Sequence, residues 1–294
     1  MTPPANVAEL LPRCSFAAAG TSVTAAVSGG ADSLALLVLA IEARLDVTAV
    51  HVDHGLREGS QSEAEVVENA CGRFGAAFVA KSVVVAPGPN LEARAREARY
   101  AVLPPDVMTG HTADDQAETV LLNLLRGAGL PGLAGMRPGP RHPLLRLRRR
   151  ETEAVCCAAG LEPVRDPSNV DPAFRRNRVR HELLPLLDAI AERDVAALLA
   201  RQSDLIRDDD ELLTSLAGAI DVRDAAALAA APLPLARRAV RGWLTADGSP
   251  PPAADEIDRV LAVARKEATA CEVRGGRRVT RSGMRLDVTP PQPG

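Results

Sequence analysis

Residues 28–33 read Ser-Gly-Gly-Ala-Asp-Ser, wedged between the apolar runs TAAV and LALL. A tight turn with a helix cap needs one glycine and one capping side chain. That leaves a second glycine, a second hydroxyl and a carboxylate without a purpose. An anion cradle uses all of them. Glycines let backbone N–H groups approach an anion, and the helix that follows directs its positive end at it. Ser28, Gly29, Gly30, Ala31, Asp32 and Ser33 are therefore the candidate phosphate-binding residues, with the Ser28 and Ser33 hydroxyls as extra donors. A carboxylate beside a phosphate calls for a cation between them, which makes Asp32 the candidate Mg²⁺ ligand. The stretch has neither the Gly-Lys-Ser/Thr of a Walker loop nor the G-x-G-x-x-G of a dinucleotide site.

Two further polar clusters interrupt apolar runs, at His51–Arg57 and at Gly110–Glu118. In HVDH the polar residues can simply end a strand. A metal site of His51, Asp53 and His54 would force three ligands from four residues, which strains the geometry. In GHTADDQAET, Thr112 and Asp115 have the spacing of a capping box. Capping leaves His111, Asp114 and Glu118 unexplained, and three carboxylates at a helix start also suit Mg²⁺ or a substrate ammonium group.

These clusters need elements to hold them. The first half alternates short apolar runs with helical patterns. Strands are expected at VTAAV, DVTAVHVD, AAFVAKSVVV and DVMTG, and helices over 32–44, 60–74, 90–101 and 113–126. Such alternation predicts an α/β fold with a doubly wound, mostly parallel sheet. Ligands bind such sheets at the carboxyl ends of the strands, which is where all three clusters fall. Residues 127–150 read as loop and 151–160 as helix, and DPSNVDPAFRRNRVRHELLPLL (166–187) runs from a turn into a helix that Pro185 should kink or split. A long helix over 190–218 is predicted to lead into a small α+β unit: two or three helices over 222–265, then a hairpin with turns at Gly275-Gly276 and Ser282-Gly283. The expected domains are a catalytic one (1–189), a linker helix (190–218) and a small C-terminal one (219–294).

Composition narrows the class. Of 294 residues 46% are hydrophobic and 25% charged, enough for a core in a soluble chain. No apolar run reaches the length of a membrane span, and the N-terminus lacks the pattern of a secretory leader. Five cysteines without a C-x-x-C suit a reducing, cytoplasmic setting. Net charge is −3, but residues 137–181 hold eleven Arg against five Asp/Glu, and 271–285 hold five Arg against one Glu. At 2% aromatics a base-stacking platform is excluded, so contact with RNA has to rest on arginine.

After a strand and before a helix, SGGADS resembles the PP-loop of the N-type ATP pyrophosphatases, which grips the pyrophosphate of ATP. VDHGLR (52–57), NLEARAREARY (90–100), GHTADDQAET (110–119), DPSN (166–169) and RNRVRHELLP (176–185) follow in that order. Together they resemble the tRNA(Ile)-lysidine synthetase family over roughly residues 20–190. The resemblance implies ATP and Mg²⁺ as cofactors, and L-lysine and a tRNA(Ile) with a CAU anticodon as substrates. Lysine would be joined to the wobble cytidine through an adenylated cytosine, changing the codon read from AUG to AUA. It places Val52 and Asp53 near the nucleoside of ATP, and His111, Asp114, Asp115 and Glu118 around the reacting cytidine and lysine. It also favours Arg96 and Arg99 as contacts to anionic groups, although Glu92 and Arg96 by themselves read as an i,i+4 pair. The family usually has Arg-Pro-Leu-Leu where this chain has His142-Pro143-Leu144-Leu145. The implied partners include no membrane, and a homodimer is left open. A PP-loop tRNA cytidine thiolase is the alternative, but its sulfur chemistry needs cysteines that the three clusters lack. A regulatory nucleotide-binding module would need neither the carboxylates nor the arginines.

Overall fold

The computed structural model describes residues 7–53, 60–84, 88, 91–164 and 170–290. His54–Arg57, Asn90, Asp166–Asn169 and the side chains of Glu92 and Arg96 lie outside the described residues. A short helix α1 (Val7–Leu10) precedes β1 (Ser22–Ala26), α2 (Ala31–Glu42), β2 (Asp46–Asp53), α3 (Ser60–Phe74), β3 (Ala77–Ser82), α4 (Leu91–Ala101) and α5 (Ala113–Leu125). The three strands are parallel in the order β1-β2-β3. The fourth expected strand reduces to one bridge, Met108 beside Ala25. Met108 donates to the Thr24 carbonyl at 2.8 Å, and its own carbonyl accepts from Ala26 at 2.9 Å. The chain thus steps outward from β1 through β3, then returns to the other edge of β1. That reversal opens a crevice at the carboxyl ends of β1 and the Met108 segment, where doubly wound sheets bind ligands.

The sheet's burial follows from its sequence. In β2, Val47 and Ala49–Val52 are buried, a near-continuous run typical of a strand covered on both faces. Helix α2 is apolar almost all round, and Ser33–Ala40 are all buried. It packs with α7 (Arg149–Ala158) in the main core, where Leu34, Leu36, Leu144, Leu147 and Val155 meet. In chain order α6 (Leu130–Leu133) lies between α5 and α7.

Helix α8 (Arg175–Arg178) leads into a π-helical turn, Val179–Leu183, and then α9 (Leu184–Ala191). Pro185 therefore does not split the helix. It follows the widened turn directly, at the start of α9, inside a helix that continues through it. The widened turn before it carries the irregularity, with the Leu184 N–H bonded to the Val179 carbonyl. The expected helix over 190–218 breaks at Glu192, whose φ is +51°, and α10 runs Val195–Gly218.

Contacts divide the chain into two compact units, Met1–Asp204 and Leu205–Gly294. The second contains α11 (Ala225–Ala230), α12 (Leu233–Thr245), α13 (Ala254–Ala264) and an antiparallel sheet, β4 (Ala270–Val273), β5 (Arg277–Ser282) and β6 (Arg285–Thr289). It has its own core around Leu228, Val240, Leu244, Ile257, Leu261, Val279 and Leu286. No helix of the described residues is long and apolar enough to cross a membrane.

Candidate active site

A cavity of about 1100 Å³ opens at the crevice. Its floor is the loop from β1 into α2. Gly29 has φ +82°, which favours glycine, and a Cβ there would press on Val164 at 3.2 Å. No side chain caps α2 at Gly30, and only the Ser33 N–H of the first turn is spent on the Gly30 carbonyl, so the Ala31 and Asp32 amides are left for a ligand. The Ser33 hydroxyl donates to the Gly30 carbonyl at 2.9 Å and accepts the Ser28 N–H at 3.1 Å, bracing the loop from inside. The opposite wall begins at Gly110. A Cβ there would lie 2.5 Å from the Asp32 carbonyl oxygen and 2.7 Å from its carbon, so only glycine lets the two loops meet.

The crevice brings most of the other expected residues to the same place, although Gly29 and Asp53 are not among those that line it. Val27, Ser28, Gly30, Ala31, Asp32, Ser33, Val52, Arg99, His111 and Asp115 all line the cavity. Arg99 also lies over the Tyr100 ring at 5.6 Å. His51 donates from Nδ1 to the Val27 carbonyl at 3.0 Å, a bond that ties the ends of β1 and β2 together. Among the described residues no cluster of three or more His, Cys, Asp or Glu could hold a metal.

The carboxylates of α5 differ in their surroundings. Asp114 accepts two bonds from Arg148, at 2.8 and 3.0 Å, and one from the Arg149 backbone at 2.7 Å; it does not line the cavity. Burial opposes its charge, yet Arg148 wins and holds its carboxyl below the usual range. Glu118 has no exposed surface. It takes Arg176 Nε and Arg180 Nε at 2.6 Å each, and Arg149 at 3.4 Å. Asp115 is the one facing the cavity. Its Oδ2 receives the Thr112 N–H and hydroxyl at 2.9 Å, and its Oδ1 receives Arg176 at 3.0 Å and Arg149 at 3.2 Å. Burial is overcome by Arg149, Arg176 and His111, which hold Asp115 far below the ordinary carboxylate range.

Asp32 is held differently. Its carboxylate accepts from Thr152 and, at 3.3 Å, from Arg149 Nε. Burial first, and then the Asp115 charge, push it up to about 6. Arg149 is thus shared among Asp32, Asp115 and Glu118. Burial opposes its charge, but the three carboxylates raise its pKa above the ordinary arginine value.

Of three site arginines, Arg149 was legible only as part of a basic stretch, while Arg176 and Arg180 also belong to the RNRVRHELLP motif, without a role assigned to either. Residues 137–181 read as an RNA-facing patch, yet Arg148, Arg149, Arg176 and Arg180 turn inward onto carboxylates. The C-terminal stretch behaves similarly. Arg277 donates twice to the Leu244 carbonyl at 3.0 Å, and Arg281 donates to the Ala264 carbonyl. Both cap the last turns of helices, whereas Arg274, Arg278 and Arg285 remain exposed.

Cysteines also reach the cavity, from α7 rather than from the three clusters. Cys156 and Cys157 both line it. Burial pushes the Cys156 thiol up to about 12, and it donates to the Ala31 carbonyl at 3.3 Å. A thiol so poorly ionised is unsuited to carrying sulfur as a nucleophile.

Comparison with known proteins fits this geometry. Residues 6–187 match the family model for a PP-loop domain, and residues 224–286 the one for a TilS substrate binding domain. The chain is 42% identical to the tRNA(Ile)-lysidine synthase of Nocardia farcinica, over 91% of this chain and 89% of that protein. It is 44% identical to the one from Mycolicibacterium paratuberculosis, over 76% and 74%, and 40% identical to the one from Mycobacterium tuberculosis, over 88% and 85%. Among solved structures, the U34-tRNA thiolase NcsA from Methanococcus maripaludis, with its [4Fe-4S] cluster, superposes with a TM-score of 0.51. Its identity is 16%, covering 64% of this chain and 73% of that one, a likeness of fold alone. With a glycine-rich loop facing a carboxylate–arginine wall and relatives matched over most of its length, the chain belongs to the tRNA(Ile)-lysidine synthase family.

Proposed function

We propose that this cavity joins free L-lysine to the wobble cytidine of a tRNA(Ile) with a CAU anticodon, at the expense of ATP. The observation that carries the reading is the meeting of SGGADS and GHTADD across one crevice. The cradle and the carboxylate wall touch at Gly110, so the α-phosphate of a bound ATP and a base entering beside α5 would share one space. Cytosine O2 attacks that phosphorus, and pyrophosphate leaves toward the cradle amides. The lysine amine then attacks C2, and AMP leaves with O2.

Mg²⁺ fits one position. Asp32 is a single carboxylate beside the phosphate loop, and Mg²⁺ is commonly held by one or two carboxylates together with substrate phosphates. Asp32 would hold the ion, which would offset charge on the phosphates. Asp115 would hold the lysine ammonium. A carboxyl kept so acidic is a poor proton acceptor, so His111 would take the proton that the amine must lose. Arg99, and Arg96 by resemblance, would contact anionic groups of ATP or RNA, while Val52 and Asp53 would lie near the nucleoside. Glu118 would fix Arg149, Arg176 and Arg180 in place, and Asp114 would fix Arg148. The C-terminal unit would grip tRNA through its exposed arginines. Residues 1–189, 190–218 and 219–294 would then be the catalytic, linking and tRNA-binding parts of a cytoplasmic enzyme.

The test is pyrophosphate release with ATP, tRNA(Ile) and lysine, each omitted in turn, with the tRNA product analysed by mass. Lysine-dependent gain of one lysine at the wobble cytidine is expected. Sulfur incorporation, or pyrophosphate release without tRNA, would overturn the reading.

A further inference from the structure

The Thr109 hydroxyl stands between two histidines. Its oxygen lies 2.7 Å from His111 Nδ1, 2.8 Å from His142 Nδ1 and 3.2 Å from the Arg141 carbonyl oxygen. The rings meet edge to face with centroids 5.2 Å apart. Thr109 is buried, and its backbone N–H is fixed on the Arg141 carbonyl at 2.9 Å. His142 is pinned by its N–H to the Gly139 carbonyl, also at 2.9 Å.

A hydroxyl has one proton to give. The Arg141 carbonyl can only accept, and an imidazole nitrogen without a proton can only accept. At most one of the three neighbours is therefore served as an acceptor, and at least one histidine must carry its proton on Nδ1. Three arrangements satisfy this. If the hydroxyl donates to His142 or to Arg141, His111 donates from Nδ1 and presents a bare Nε2. Only if it donates to His111 does that ring keep its proton on Nε2.

We infer that His142 is a positioning residue: by accepting the Thr109 proton when neutral, it holds His111 with a bare Nε2, the form that can act as a base. Protonated His142 can only donate, which leaves the hydroxyl's proton to Arg141 or to His111 and no longer fixes the His111 tautomer. An arginine, usual at this position in the family, can only donate too, so the coupling belongs to this chain's histidine. His111 shares its cavity wall with the charges of Asp32 on α2, Glu63 on α3, Arg99 on α4, Asp115 on α5, Arg149 and Glu153 on α7, and Glu162 and Arg180. Asp115 is near enough to feel the charge of His111. These charges act on the His111 ring, and Thr109 links it to His142.

The inference rests on the assignment of His111 as the base, and its test separates the two. In the full chain labelled with ¹⁵N-histidine, ring shifts report the His111 tautomer without any turnover. Wild type and H142N, whose amide oxygen can accept in place of Nδ1, should show the Nδ1–H form at pH 8. H142A should move His111 toward the Nε2–H form, because the hydroxyl turns to its shortest contact. In lysine transfer, H142A should lose on the order of tenfold in kcat, about one neutral hydrogen bond, with KM for lysine little changed. The acid limb of its pH profile should flatten from two coupled protons to one, and H142N should recover most of the rate. An unchanged His111 tautomer in H142A, with ATP affinity intact, overturns the coupling. So does an Nε2–H His111 in the wild type. A wild-type chain with no lysine-dependent product overturns the function instead, and the tautomers still decide the coupling.

Discussion

Asp32→Asn should make the protein more stable and inactive at once. Asp32 rises from 3.8 to about 6 on folding, chiefly through burial and then through Asp115. Between those values the folded chain keeps a proton that the unfolded chain has released, so stability falls as pH rises through that window. Above about pH 6 the penalty is complete. At about 1.4 kcal/mol per pKa unit it amounts to at most ~3 kcal/mol. Asparagine is neutral, and its single oxygen can accept at the Thr152 position or at the Arg149 position, with the amide NH2 at the other. The attraction of Arg149 for the charge is already counted in the rise to about 6, and the weaker hydrogen bonds of an amide offset part of the gain. A net ~1–2 kcal/mol at pH 8 should lift the unfolding midpoint of this unit by roughly 3–6 °C. The gain should shrink as pH falls toward about 4 and vanish below it, where the aspartate is neutral in both states. Calorimetry of wild type and variant across pH 4–8, without nucleotide, measures it. Pyrophosphate release by the same variant should fall at least ~100-fold, on the scale of losing one electrostatic contact to a reacting group. A variant no more stable than wild type at pH 8, or a difference that does not vary with pH, would refute the account of Asp32 as a strained, ligand-ready carboxyl.

Gly110→Ala should block ATP binding and lower the unfolding midpoint, because its Cβ would sit 2.5 Å from the Asp32 carbonyl oxygen; isothermal titration with ATP checks it. Glu118→Ala leaves three guanidinium groups facing an empty buried site and should cost ~3–5 kcal/mol in urea unfolding. Arg277→Ala should destabilise the C-terminal unit by ~1–2 kcal/mol through loss of its bonds to the Leu244 carbonyl. Arg278→Ala and Arg285→Ala, both exposed, should leave stability unchanged. If each contacts a phosphate, the double variant should reduce the log–log salt slope of tRNA binding by roughly 0.7–0.9 per contact. Equal slopes would mean that those two arginines are only solvated.

Much of the fold could be read from local pattern. The alternation of apolar runs gave α3 at its observed bounds, Ser60–Phe74, and gave β2 and α5 within a residue or so. Its weakest element was DVMTG, where one parallel bridge replaces a strand. Five residues cannot show whether a neighbour will pair beyond Met108, since pairing depends on the partner edge.

The cradle and the acidic start of α5 were legible because their chemistry is written in consecutive residues: glycines for close approach, hydroxyls and carboxylates at helix starts. Sequence also determined the order of those motifs, and with it the family. What it could not give was the partner of each charge. Arg149 and Arg176 look like any other arginine in a basic stretch, yet folding brings them 34 and 61 residues across the chain onto Asp115. His142 looked like a missing arginine until the bridge from Gly139 set its ring against Thr109. Composition counts charges, but ion pairing and hydrogen-bond direction depend on distances of about 3 Å between residues remote in sequence. Those distances exist only once α2, α5, α7 and the π turn have packed around the crevice.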